Sequence, residues 1–587
     1  MAAENANIAQ HLPAMAAGQP DTAALLVPRG RRDGRIDYLT LSFAELAAEA
    51  AAWQAEFTAR GIRRGDRTLV MVRPGLPLIA AVFALFGLGA VPVVIDPGMG
   101  LQSFLACVRR SRPRALVGIP LARVISHLFR NAFHSVEVRV AASGSPTARL
   151  RGGSPNSDPQ FHVVESGAAE LAAVLFTSGS TGAPKGVRYT HGMFAAQVEL
   201  IRTTYGITPG ERDLPMLPVF ALFNPALGMT TVVPELNPAR PADVDPAKII
   251  QAIQQEAITS SFGSPTLWAK IARHGEKHGV TLPTLRRVLC AGAPVPPGLW
   301  SAMKTLLPNG ELHSPYGATE VLPVSSICAR EVIGATAEAT LAGRGTCVGR
   351  ILPGNEVRII ALTDAPLPTL QAARELPTGE IGEIIVRGPT VTKEYDDLPQ
   401  ATAAAKIRGA RTASPDITAR EESAARGPLA LGGLGSEADN DDHVVWHRMG
   451  DTGYLDAEGR LWFCGRKAER ITTATGLIFT EQVEPAFTSH PAVRRAALVG
   501  IGPAGAQEAA VVIEPADPRL ARDPHAAAQL VAALLLHVRG HAYAANVKRF
   551  HVHPHLPVDV RHNAKIHRLT LARWAATATP ITLTTAS

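Results

Sequence analysis

The apolar run AAVLFT (172–177) passes directly into TSGSTG (177–182), which packs four hydroxyls and two glycines into six residues and is followed by Pro184, Lys185 and Gly186. Glycines lose more backbone freedom on folding than any other residue, so a loop of this kind is costly to order. Its presence implies that something must come close to its backbone. The apolar run reads as a strand, and from Thr190 a helix carries Phe194, Val198 and Ile201 on one face. The loop is therefore expected to join strand to helix, and this constrains the chain toward crossover units built on a parallel sheet.

The rest of the first 340 residues repeats that alternation. Ser42 and Glu45 have capping-box spacing ahead of a helix with Leu46, Ala50, Trp53 and Phe57 on one face and Gly61 past its end. TLVMV (68–72) and VPVVI (91–95) read as strands around an apolar helix. The pairs DPAKIIQAIQQEA with SSF, and TLWAKIARHG with RRVLCAG, read as helix then strand. After about residue 340 short runs such as NEVRIIAL and GEIGEIIVRG, separated by turn residues, predict antiparallel strands. Residues 409–441 lack apolar periodicity and read as an inserted, mobile surface loop.

At 587 residues the chain exceeds what one hydrophobic core serves, so at least two domains are expected. The net charge of +7 is modest, but residues 467–587 hold 13 Lys and Arg against 8 Asp and Glu. No basic run alternates with stacking aromatics, which argues against nucleic acid and for a small polyanionic ligand. Five scattered cysteines without CxxC spacing suggest neither a disulfide framework nor a zinc site, and a reducing cytoplasm follows. The N-terminal residues have no signal-peptide pattern, and the richest apolar stretch is broken by Gly87, Gly89 and Pro92, so no membrane span is expected. His551, His553 and His555 alternate as three imidazoles on one strand face would; a polar strand edge is preferred to a metal site.

The loop fails two common templates. Gly182 is followed by Ala-Pro-Lys where a P-loop needs Lys-Ser/Thr, and Ser178 stands where a hydrolase elbow needs its first glycine. What remains is a neutral cradle: backbone N–H groups and the hydroxyls of Thr177, Ser178, Ser180 and Thr181, with Gly179 and Gly182, can wrap phosphate oxygens. Lys185 either contacts phosphate or closes the loop. The sequence TSGSTGAPKGV resembles the phosphate loop of the acyl-adenylate-forming superfamily. CAGAPVP (290–296), YGATE (316–320), GDTGYLDAEGRLWFCGR (450–466) and Lys565 follow in that superfamily's order and span nearly the whole chain.

The resemblance implies an α/β fold. A large N-terminal domain (1–466) would have layered, mostly parallel sheets and a small β-barrel-like subdomain, and a small α+β lid (467–587) would complete it. It also implies ATP and Mg²⁺. Glu320 suits Mg²⁺, which takes one or two protein carboxylates and keeps waters and phosphates as its other ligands. By resemblance Tyr316 stacks on adenine, beside Gly317, Thr319 contacts phosphate, and Gly292, Ala293 and Pro294 pass beside the base. Asp451 accepts from the ribose hydroxyls with Arg466 on the same side. Lys565 bridges the substrate carboxylate and the α-phosphate; it is one of only 10 lysines in a chain that otherwise prefers arginine.

LPMLPVFALFNPALGM (214–229), ELHSPYGATEVLPVSSI (311–327) and PVDVRHNAKIHRLTLARWA (557–575) are most similar to the β-lactone synthetases of bacterial long-chain olefin biosynthesis. That implies a 2-alkyl-3-hydroxy fatty acid as substrate and association with other enzymes of that pathway. An acyl-CoA or acyl-carrier ligase is the alternative. Ala221, flanked by Phe220 and Phe223, stands near where many relatives carry His or an aromatic, leaving room for a branched acyl group. Ala468 occupies the hinge place where lid-swinging members carry Asp or Lys. His191, after the loop, reads as structural, and the base for ring closure is not identified.

Overall fold

The computed structural model describes residues 5–142, 160–177, 183–237, 243–409, 444–559 and 565–581. Ser178, Gly179, Ser180, Thr181 and Gly182 lie outside the described residues, as does the expected insertion beyond Gly409.

A six-stranded sheet forms first, in the order Val138–Ala141, Ala115–Gly118, Arg67–Met71, Val91–Val94, Leu171–Thr177, Lys185–Thr190, parallel except for the last pair. Helices between the strands make the parallel pairing possible. One of them, Phe43–Ala59, starts at Ser42, whose Oγ accepts from Glu45 N (3.2 Å) while Glu45 Oε2 accepts from Ser42 N (2.9 Å). Its Leu46, Ala50, Trp53 and Phe57 are all buried, as the spacing predicts. The apolar helix Leu76–Gly87 packs against it, and the two help to fill the largest core.

One expectation is corrected. The glycine loop does not run from strand to helix: Lys185–Thr190 is a strand antiparallel to Leu171–Thr177, and the helix His191–Tyr205 begins only after it. Within KGVRYT, Val187 and Tyr189 are buried and Arg188 and Thr190 are not, the alternation of a half-buried strand. Gly186 is needed for contact rather than for a turn, since a Cβ there would meet Phe176, Asp396 and Val174 at 3.0–3.1 Å.

A second sheet of 14 strands has two characters. Ala23–Arg32, Thr230–Val232, Arg212–Pro215, Ser260–Gly263, Arg287–Cys290 and Glu311–Ala318 run parallel. From Glu311–Ala318 onward the pairing is antiparallel through Val321–Cys328, Thr346–Ile351, Arg460–Arg466, Val444–Leu455, Gly382–Arg387 and Glu356–Ile360. The change falls between Ala318 and Val321, ahead of the change in sequence texture near residue 340. The chain ends in a smaller domain of sheets and helices. There a three-stranded sheet (Val493–Ile501, Glu508–Pro515, Arg549–Val552) packs one face on Pro524–His537 and the other on Arg568–Thr577. Alternate residues divide between the faces, Val511 and Ile513 on one and Ala510 and Val512 on the other. Only His551 of the three alternating histidines lies in a strand, and its ring and that of His553 pack edge-on against Trp574. No helix among the described residues is long and apolar enough to cross a membrane.

Candidate active site

Of the expected site residues that are described, Gly292, Ala293, Pro294, Tyr316, Gly317, Thr319 and Glu320 lie where the large sheet changes from parallel to antiparallel. Arg287–Cys290 runs out into Gly292, Ala293 and Pro294, with Gly292 at φ +99°, a conformation L side chains rarely adopt. Its neighbour Glu311–Ala318 carries Tyr316 and Gly317, then turns through Thr319 and Glu320 into Val321–Cys328. At Gly317 a Cβ would lie 2.6 Å from the Val321 carbonyl oxygen, so only glycine lets this hairpin close.

Asp451 is buried (3 % exposed) and holds two donors: Tyr316 Oη on Oδ2 at 2.6 Å and Arg466 Nη1 on Oδ1 at 2.7 Å. Asp451 and Arg466 face each other across paired strands, which makes the contact a consequence of register. Burial raises the Asp451 carboxyl above its usual range, and the Arg466 charge, the Tyr316 hydroxyl and the more distant Lys565 ammonium oppose that rise. Lys565 therefore stands within electrostatic reach of Asp451, although 114 positions later in the chain. Its segment is pinned locally: Lys565 N donates to Asp559 Oδ1 (2.8 Å) and Asp559 N to Lys565 O (2.9 Å).

Glu320 sits in a second cluster that the sequence reading only partly anticipated. Tyr395 Oη donates to Glu320 Oε1 at 2.7 Å, and Thr392 donates to the Glu320 carbonyl through N (2.9 Å) and Oγ1 (3.1 Å). Tyr189 Oη donates to the Thr319 carbonyl. Lys185 Nζ lies 4.7 Å from the centre of the Tyr395 ring, a cation–π contact that brings the loop's lysine to the Glu320 side. Thr177 pairs with Lys185 as the last pair of the two strands on either side of residues 178–182. Behind Thr392, Lys406 is buried and donates to the Thr392 carbonyl and to its Oγ1 (3.1 Å); burial pushes its ammonium pKa down to about 7. Tyr395, Tyr189, Thr392 and Lys406 were not singled out beforehand. The two tyrosines carried the only usable signal, being two of just seven in the chain.

The hinge is tied on both sides of Ala468. Lys467 Nζ donates to Glu383 (3.0 Å), which also accepts from Arg448 (2.6 Å). Glu469 accepts from Arg568 (3.0 Å), whose guanidinium also grips both oxygens of Glu484 at 2.8 and 2.6 Å. Arg568 lies three residues after Lys565.

An apolar cavity of about 60 Å³ opens next to the Tyr316–Val321 turn, lined by Phe220, Phe223, Phe262, Leu289, Pro315 and Leu322 among others. Phe220 and Phe262 stack at 3.9 Å. Ala221 points away from it, into a smaller cavity of about 30 Å³ with Pro218 and Ile79. His191 is not part of the cluster: it is buried with its ring edge toward Phe86 (6.1 Å), and burial lowers its pKa to about 4. Among the described residues no three His, Cys, Asp or Glu side chains gather as a metal cage.

Comparison with known proteins yields three findings. The profile of a family described as AMP-binding enzyme matches residues 12–396. Two olefin beta-lactone synthetases, from Stenotrophomonas maltophilia and Xanthomonas campestris pv. campestris, are each 44% identical, over 97% of this chain and 98% and 97% of their own. The structure of ATP-bound MatB from Rhodopseudomonas palustris superposes with a TM-score of 0.73 at 22% identity, covering 98% of this chain and 99% of that one.

Proposed function

We propose, from the premise that the chain belongs to the AMP-binding enzyme family, that it is an ATP-dependent β-lactone synthetase acting on 2-alkyl-3-hydroxy fatty acids. The observation that carries this reading is the 44% identity to two olefin beta-lactone synthetases along nearly the full length.

In the first step a carboxylate oxygen of the acid attacks the α-phosphorus of ATP, forming an acyl-AMP mixed anhydride and releasing pyrophosphate. Lys565, within reach of Asp451, carries the ammonium that offsets charge building between carboxylate and phosphate. Asp451 has lone pairs left on both oxygens for ribose hydroxyls, and its bond to Tyr316 holds that ring in place for adenine. Thr319 and the 177–182 loop receive phosphate oxygens. Glu320 fits Mg²⁺ chemically, as a single hard carboxylate with one oxygen engaged by Tyr395 and no donor to the other among the described residues. Bound there, the ion would neutralise phosphate charge.

In the second step the substrate's own 3-hydroxyl oxygen attacks the activated carbonyl. As the ring C–O bond forms, the bond from the acyl carbon to the phosphate oxygen breaks, AMP departs as the leaving group, the hydroxyl proton is released to solvent, and a four-membered lactone closes. An intramolecular nucleophile has a high effective concentration, which helps offset the ring strain. No thiol has to bind, so the lid (467–587) need not take a second orientation over the body (1–466), and the ties flanking Ala468 suit one fixed orientation. A cytoplasmic location, and association with the enzymes that supply the hydroxy acid and consume the lactone, accompany this reading.

Incubation with a 2-alkyl-3-hydroxy acid, ATP and Mg²⁺, with no coenzyme A, tests it. AMP and β-lactone are expected in equal amounts. Product formation only when coenzyme A is added would overturn it.

A further inference from the structure

The apolar cavity ends on groups that the chemistry above does not use. It follows one face of the parallel part of the large sheet. Asp213, Ser260, Arg287 and Glu311 form one row across four strands, and two residues further along Phe262, Leu289 and His313 form another. Residues two apart on a strand share a face, so Ser260 and Phe262 line the same wall. Pro315, two positions beyond His313 and adjacent to Tyr316, closes the end toward the nucleotide. From Pro315 back to the Asp213 row is four residues, or roughly 13 Å along a strand.

The wall is apolar at the Pro315 end and polar at the other, where Asp213, Asn224 and Ser260 line it. Asp213 and Asn224 are 6 % and 2 % exposed. Asn224 Nδ2 donates both to Asp213 Oδ2 (3.1 Å) and to Thr231 Oγ1 (2.8 Å). Burial pushes the Asp213 carboxyl up to about 7, against the pull of its Asn224 and Ser260 hydrogen bonds. Ile207, Leu227 and Met229 flank these polar groups, so a hydrocarbon terminus that reached the floor would keep contact at its sides but would crowd hydrogen-bonded groups at its tip that have no water to fall back on.

We propose that Asp213, with Ser260 and Asn224, sets the length limit for the one hydrocarbon branch of the substrate that enters this cavity. The proposal rests on the reading of the chain as an enzyme that activates a branched fatty acid. Asp213 then acts as a specificity-determining residue some distance from the reacting carboxylate, and the second branch, which lies elsewhere, is not measured by it.

The test is pyrophosphate exchange over a panel of 2-alkyl-3-hydroxy acids in which each branch is lengthened separately. In the unaltered chain kcat/KM is expected to drop sharply beyond a certain length of one branch. Asp213→Ala should raise the kcat/KM ratio of acids one to three carbons past that point to acids below it by about tenfold or more, the value of a methylene or two in an apolar pocket. Asp213→Asn, which keeps size and polarity, should retain the limit. Ser260→Ala should shift it in the same direction as Asp213→Ala and substitutes for it if that variant does not fold. A folded Asp213→Ala with an unchanged length profile, or with both branches shifted alike, would overturn the proposal, since a purely structural Asp213 lowers stability without moving the profile. Exchange reports adenylation alone, so formation of a thioester in place of lactone would sink the lactone step while leaving this test readable.

Discussion

Asp451 and Glu320 are each held by a tyrosine hydroxyl, at 2.6 and 2.7 Å, and the two bonds differ in what they leave available. Asp451 has a donor on both oxygens, whereas Glu320 keeps one oxygen without a donor among the described residues. Tyr395→Phe should therefore weaken Mg²⁺ binding first: the Mg²⁺ concentration for half-maximal pyrophosphate exchange is expected to rise on the order of tenfold, as outer-shell losses do at metal sites. The melting temperature should change little. Lys565→Ala should lower the exchange rate by about 10²-fold or more while leaving ATP affinity, read by equilibrium binding, nearly as it was. Exchange at the unaltered rate would remove Lys565 from the chemistry. The residues named in these tests differ in how they could be read from the sequence. Tyr316, Glu320, Asp451 and Lys565 sit in contiguous, ordered motifs. Tyr395 and Lys406 stand in KEYDD and AAAKIRG, stretches with nothing local to mark them, and acquire their roles only when Lys185–Thr190 and Lys406–Gly409 fold toward Glu320.

Among the elements, the short segment Thr480–Gln482 and the helix Arg568–Thr577 meet over a set of buried charges. Arg568 spans Glu469 and Glu484, while Glu481 accepts only from Thr346 Oγ1 (2.6 Å) among the described side chains. Burial and the neighbouring Glu484 push the Glu481 carboxyl from an ordinary 4.5 up to about 7. The folded chain thus keeps a proton that the unfolded chain has already released above about 4.5. Stability from this group is complete below that pH and is lost as pH rises through 7. Glu481→Gln should raise the unfolding free energy at pH 8 by on the order of 1–3 kcal/mol, read from denaturant melts, and the gain should fade toward pH 5. Arg568→Met leaves Glu484 and Glu469 without their cation. Its expected signature is a lower kcat in exchange with little change in KM for ATP, because Lys565 three residues away loses its mooring. The long amphipathic helices around this chain were legible from spacing and caps alone. Lys185–Thr190 was not: six residues give a period-two pattern too little length to compete with the helix that follows.

At the scale of the whole molecule the proposed nucleotide site is assembled from distant parts, with Lys565 within electrostatic reach of Asp451 on the large sheet. Hydrogen exchange measured with and without Mg·ATP should show protection in Tyr316–Glu320 and in Lys565–Arg568 together, with the core of Val493–Ile501 unaffected. Protection confined to the first segment would mean that the lysine does not close on the nucleotide. The smaller C-terminal domain was expected only from the family resemblance. The antiparallel region was visible as a change in texture near residue 340, although the pairing already reverses at Val321–Cys328. That all of this antiparallel region continues one sheet was not, because pairing partners such as Gly382–Arg387 and Val444–Leu455 are separated by more than 50 residues. That continuity has a practical consequence. The family match ends at Asp396, inside the sheet rather than at its margin, and Val444–Leu455 and Arg460–Arg466 lie beyond it. A recombinant fragment trimmed to 12–396 would leave Gly382–Arg387 and Thr346–Ile351 each with a raw edge of unpaired amides. Such a fragment should collect in inclusion bodies, and any expression plasmid for this enzyme has to carry the chain through Arg466 to yield soluble material.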